Sequence, residues 1–232
     1  MLDDFQKFRA WVDAWCKDTD EQALTEICAF AARKRTHQAY KEGDFFRYRI
    51  NRFLYGYGRI LIDYNKKRED GTAFWDIFMG KPLCVAVYHI ATENAEIKPE
   101  ELIGKKMMPA HMVMDNVFYY GECEIIGNMP LSDEQIDYPI HYGWGCTMEH
   151  PNRVCYQCGD VFVTREDCVA LYREFKNNGI GWNLRVTLPL LHECICADSN
   201  EPYLRSEQWG KDLRNPKYAD ELRQIKEQMG IE

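Results

Sequence analysis

The stretch from Gly43 to Ile62 constrains this chain more than any other. It reads as two apolar strands joined by a short polar turn, and the second strand carries two glycines on one face. Strand alternation places Leu54, Gly56, Gly58, Ile60 and Ile62 on one side, with Tyr55, Tyr57, Arg59, Leu61 and Asp63 on the other. Glycine inside a strand weakens it, so a pair of them needs a reason: a bend, a bulge, or the close approach of a backbone or a large ring. The hairpin is expected to form a corner of a curled sheet or partial barrel.

The texture on either side of this β-rich stretch is helical. Phe5, Phe8, Trp11 or Val12, and Trp15 recur at helical spacing, and Thr19 with Gln22 can form a capping box for a second helix. Strands are expected at 44–50, 53–64, 73–79, 83–91, 111–119, 122–127 and 153–164, with Asp70-Gly71 as a tight turn between two of them. A short helix is expected from Pro99 to Ile103 and a single turn from Ser132. Helices follow at 167–176, after Pro189, and from Pro216 to Met229. The reading is one α+β domain over 1–232: a helical region 1–41, a curled, mostly antiparallel β core 42–165, and a mainly helical region 166–232.

With 232 residues the chain can bury a full core, and its net charge of −8 argues against general nucleic-acid binding. That charge suits a basic partner. The N-terminus has no basic region followed by an apolar run, and no stretch is long and apolar enough to span a membrane, so a cytoplasmic protein is expected. Ten cysteines then read as reduced thiols or metal ligands.

Cys155 and Cys158, followed by Gly159, have the spacing of a zinc knuckle. A structural zinc needs a second pair, for which Cys194 with Cys196, or Cys146 with His150, are the candidates. The competing account places both cysteines in a strand as small core fillers. A redox role needs a helix N-terminus, and the flanks here look extended. No metal motif joins His111, His141, His150 and His192, which are read as structural. Glu93, Glu96, Glu100 and Glu101 form an acidic patch, either a solvated face or a docking face for a cationic partner. Two aromatic, glycine-punctuated segments, Val117–Gly121 and His141–Gly145, read as loops of the kind recognition surfaces use.

Together, Gly43-Asp44-Phe45-Phe46, Tyr55-Gly56-Tyr57-Gly58-Arg59-Ile60-Leu61, Tyr119-Tyr120-Gly121-Glu122, Ile125-Ile126-Gly127-Asn128, Tyr138-Pro139, His141-Tyr142-Gly143 and Tyr156-Gln157-Cys158-Gly159 resemble the immunity protein 26 family of bacterial polymorphic toxin systems. The resemblance covers roughly residues 42 to 165. Where this chain has Cys158, the family pattern more often has Trp, which points to a packing position. The resemblance implies a non-enzymatic, cytosolic α+β protein without a cofactor that binds a cognate toxin and occludes its active site. Tyr119, Tyr120, Tyr142 and Trp144, with Arg59, Glu100 and Glu101, are the expected toxin contacts. A phosphotriesterase label attached to part of the family makes a hydrolase the first alternative, although no binuclear metal motif is present. A zinc-stabilised module held by Cys155, Cys158, Cys194 and Cys196 is the second.

Overall fold

The computed structural model describes residues 38–49, 54–71, 81–119, 121, 123–131, 136–144, 153–172 and 212–232. The helices expected before residue 38 and after Pro189, the strand at 73–79 and the turn at Ser132 lie outside these residues. The described chain is mixed α+β and is built on two open antiparallel sheets. The larger has the order β4-β3-β2-β1-β5, from β1 (Asp44–Arg49), β2 (Tyr55–Asp63), β3 (Pro82–Thr92), β4 (His111–Met114) and β5 (Cys123–Asn128). The smaller has the order β6-β7-β8, from β6 (Ile140–Trp144), β7 (Val154–Cys158) and β8 (Val161–Arg165). Neither sheet closes, so the curled arrangement stops short of a barrel.

The two glycines of β2 have their reason in β1. Gly58 pairs with Phe46 and Gly56 with Tyr48 across the β1–β2 ladder. A Cβ on Gly58 would overlap the Phe46 ring and sit 2.8 Å from the Ala86 carbonyl oxygen, while one on Gly56 would sit 2.7 Å from Tyr48 Cε1. Both rings therefore lie flat across bare backbone. Phe46 also meets Phe118 edge-on, with centroids 5.4 Å apart. On this face they pack with Ile60, Leu83, Val85, Val87, Val113 and Val117. On the opposite face Phe45, Tyr57, Tyr88 and Leu102 form a second cluster.

The alternation read from the sequence holds as far as Ile60 and then breaks. The β2–β3 register shifts between Ile60 and Ile62, so Leu61 and Ile62 enter the same cluster, with Cys84, Ala86, Met112 and Cys155. An extra residue in one strand reverses the facing of every residue beyond it.

Four short-range expectations are corrected. β2 runs directly into α1 (Tyr64–Glu69), whose N-terminus Asp63 caps by accepting from the Asn65 and Lys66 amides, so Asp70-Gly71 ends a helix instead of joining strands. The strand expected at 111–119 stops at Met114 and gives way to α3 (Asn116–Tyr119). The strand expected at 153–164 is the β7–β8 hairpin, turning at Gly159 with φ +57°. Residues 167–172, expected to begin a helix, form bends and irregular chain. Conversely, α2 (Pro99–Leu102) and the C-terminal α4 (Ala219–Met229) fall where their proline and apolar spacing put them, the latter preceded by a 3-10 turn at Pro216–Tyr218.

The small sheet sits between the large sheet and α4. Its Ile140, Tyr142, Val154 and Tyr156 side chains pack with Ile225 and Met229 of α4. Cys155 points the other way, into the large-sheet cluster, with Phe162 packed beside it. The Arg214 guanidinium seals this region. It forms a two-pronged pair with Asp212, 3.0 and 2.8 Å, and donates to the Ala110 and Asp137 carbonyls at 2.9 and 3.0 Å.

Candidate functional site

The cysteine spacing that suggested zinc is undone by strand geometry. Cys155 and Cys158 lie on β7 three residues apart, so they project from opposite faces. Cys155 packs with the large sheet, Cys158 with the α4 side. They cannot act as one chelating pair without remaking the strand. Cys194 and Cys196 lie outside the described residues. Among the described residues no group of three or more His, Cys, Asp or Glu could hold a metal ion. Burial pushes the Cys158 thiol up, away from the thiolate that a ligand or nucleophile needs.

The expected toxin contacts separate into distinct environments. Arg59 is fully buried; it donates to the Met129 and Pro130 carbonyls at 2.9 and 2.7 Å, and its guanidinium lies 4.6 Å from the Phe45 ring centre. Tyr142 is 1% exposed, because His141–Trp144 is part of strand β6 and not a loop. Its hydroxyl donates to Gln228 Oε1 at 2.5 Å and accepts from the Leu171 amide at 2.8 Å. Trp144 ends β6 opposite Val154; its side chain, like Tyr120, is outside the described residues. Tyr119 closes α3, half-buried, on the face of the large sheet that carries Phe46. Glu100 and Glu101 are exposed on α2, which packs through Leu102 on the opposite face, with Phe45 and Tyr57. Tyr119 and the two glutamates therefore do not share a surface.

A different constellation surrounds the glutamates. Two side chains from the β1–β2 hairpin pin the segment between β3 and α2. Tyr57 donates to the Asn94 carbonyl at 2.6 Å. Arg47 donates through Nη1 to the Ala95 carbonyl and to Glu96 Oε1, and through Nε and Nη2 to Glu124 Oε2 at 3.0 and 2.8 Å. The segment is braced internally as well, since Asn94 Oδ1 accepts from the Glu96 amide at 2.8 Å and Glu101 Oε1 from the Lys98 amide at 2.9 Å. The braced segment presents Glu93, Glu96 and Glu100 to solvent. Immediately after them stands Ile103, 38% exposed and one of four large apolar residues so exposed among those described. A cleft of about 370 Å³ begins at the next residue, Gly104, and is lined also by Lys105, Lys106, Met107, Ile136 and Asp137.

Arg47 was invisible in the sequence because its partners are 48 to 77 residues away. Ile103 left a weak signal, an apolar residue between a run of charges and Gly104.

The family model described as Immunity protein 26 matches residues 41–145. Over these residues, a little under half of its length, the chain is similar to the immunity protein 26 family. No curated protein and no solved structure matches the chain. The immunity protein 26 segment takes in every strand of the large sheet, both pinning residues and the braced segment, and ends with β6. It stops short of residue 165, where the resemblance had been drawn, so β7, β8 and α4 lie outside the match. No helix of the described residues is long and apolar enough to cross a membrane.

Proposed function

We propose that the chain neutralises a cognate bacterial toxin in the cytoplasm by binding it and covering its active site, and that the braced segment from Glu93 to Ile103 is the docking surface. The observation that carries this reading is the anchoring of that segment by Arg47 and Tyr57 inside the family-matched residues. A segment already held in shape loses little conformational entropy on binding, which is the main route from contact area to affinity. Ile103 supplies an apolar centre and the glutamates a polar rim, the usual anatomy of a protein–protein hot spot.

Local charge is not the steering force. Glu93, Glu96, Glu100 and Glu101 are nearly balanced by Lys98, Lys105 and Lys106. Attraction of a basic toxin comes instead from the whole molecule, with its net charge of −8. Tyr119, on the far face, is a secondary contact at most, and Arg59 and Tyr142 act by holding the scaffold.

The test is titration of the cognate toxin domain, sought in the gene upstream, with the purified protein, reading complex formation and loss of toxin activity. Absence of both defeats the proposal. Complex formation with I103A or E100K at wild-type affinity would keep the inhibitor and discard the surface.

A further inference from the structure

Arg47 and Tyr57 pin residues 94–96, but α2, which carries Glu100 and is followed by Ile103, lies beyond their reach. Leu102, fully buried with Phe45, Tyr57 and Tyr88, draws α2 down onto the large sheet. Pro99 limits how far it descends. A Cβ built on Gly127 of β5 would lie 2.6 Å from Pro99 Cγ, and 3.6 and 3.8 Å from its Cδ and Cβ. The three nearest atoms thus all belong to one pyrrolidine ring, which rests on bare backbone. A bulge in β5 presents that backbone. Gly127 pairs with Phe45 and Ile125 with Phe46, so Ile126 is the extra residue. The bulge turns Gly127 onto the face of Phe45, which α2 covers, and away from the face where Ile125 packs with Phe46. The backbone of Gly127 has no positive φ, so it is the ring above, not the local conformation, that demands glycine. The ring cannot step aside either. Pro99 has its φ fixed, the Lys98 amide before it donates to Glu101 Oε1 at 2.9 Å, and the Lys106 carbonyl after it accepts from the His89 amide at 3.0 Å.

We infer that Gly127 is a positioning residue for the toxin-docking surface: its missing side chain sets the height of α2 above β5, and so where Glu100 and Ile103 stand relative to Glu93 and Glu96. The inference rests on the docking reading of Glu93–Ile103. Carbon atoms in ordinary contact are about 3.5–4.0 Å apart, so an alanine at this position lifts the Pro99 ring by about 1 Å. A binding constellation has to be held within about 0.5 Å to keep its fit. Gly127 acts from beneath the surface, through Pro99, and needs no contact with the toxin.

The experiment has two arms, toxin affinity and amide exchange in the free protein. G127A is expected to weaken the complex with the cognate toxin domain about tenfold. In the free protein it is expected to speed exchange of the Glu101 and Lys105 amides, which donate to the Lys98 and Leu102 carbonyls, by about tenfold. The Glu96 amide, held by Asn94 Oδ1 in the half clamped by Arg47, is expected to exchange as in wild type. P99A/G127A removes the ring that the methyl strikes and is expected to bind within about threefold of P99A. Wild-type affinity for G127A, exchange that rises equally at Glu96 and Glu101, or a double variant as weak as G127A would overturn the inference. If wild type itself forms no complex, the docking reading falls, and the exchange arm still decides the seat: unchanged rates at Glu101 and Lys105 in G127A would overturn it.

Discussion

Phe46 lies across Gly58 so closely that no side chain fits between the ring and the strand beneath it. The same holds one rung along, where Tyr48 covers Gly56. The glycines are the floor on which two core rings rest, and the rings in turn restore the packing that glycine gives up.

These two sites are expected to respond differently to a methyl group. At Gly56 the three atoms nearest to an added Cβ all belong to the Tyr48 side chain, whereas at Gly58 they include the Ala86 carbonyl oxygen. G56A should cost about 1–3 kcal/mol in urea unfolding and recover part of that when combined with Y48L. G58A should cost at least as much and recover less with F46L, because backbone cannot be trimmed. Equal rescue at both positions would refute the distinction.

Arg214 and Asp212 pair at 2.8 Å with side chains 2% and 0% exposed. Removing one partner strands the other charge in the interior, so R214M should lose about 3–5 kcal/mol. The double variant R214M/D212L should be more stable than R214M alone, since it removes both charges. A double variant as unstable as the single one would mean that the carbonyl contacts to Ala110 and Asp137 dominate.

His141 is buried at 0% exposure with its ring edge-on to Tyr64. Burial, helped by the Arg214 charge and opposed by Asp212, pushes its pKa down from 6.5 to about 3. The folded protein keeps it neutral while the unfolded chain protonates below pH 6.5, so its contribution is complete above that pH and drains away as pH falls toward 3. The slope for one such group is at most about 1.4 kcal/mol per pH unit. Denaturant unfolding at pH 7 and pH 5 should show a smaller loss for H141Q than for wild type. Identical losses would show that other groups set the acid limit.

Arg47 should matter to toxin binding without touching the toxin. Its side chain is 22% exposed and is occupied with Glu96, Glu124 and the Ala95 carbonyl. R47A is expected to weaken the complex by about 1–2 kcal/mol through loss of preorganisation, while changing the melting temperature little. Faster exchange of the amides from Glu93 to Glu96 should accompany it. Weakened binding without faster exchange would make Arg47 a direct contact instead.

Patterns with a short period carried over from sequence to structure. The glycine pair of β2, the proline-led helix α2, and α4, whose Leu222, Ile225 and Met229 pack on the small sheet, all lie where local spacing places them. Cys155 and Cys158 show the opposite outcome. Their spacing is that of a metal knuckle, but a regular strand sends them to different cores. The aromatic run at His141–Trp144 misled for a related reason: glycine and tyrosine suit a recognition loop, yet Tyr142 is one of the largest buried side chains.

By itself the sequence determined the alternation of β2 as far as Ile60, the helices α2 and α4, the α+β class and the resemblance to the immunity protein 26 family, because each depends on residues near one another or on a pattern of residue types. Tertiary structure alone decided which groups reach solvent. Arg59 became a buried brace and Arg47 a clamp because their acceptors come from β5, from the chain beyond it, and from the segment after β3. A charged side chain is settled by whichever distant oxygens the fold brings within about 3 Å of it, and that is a property of the assembled sheet.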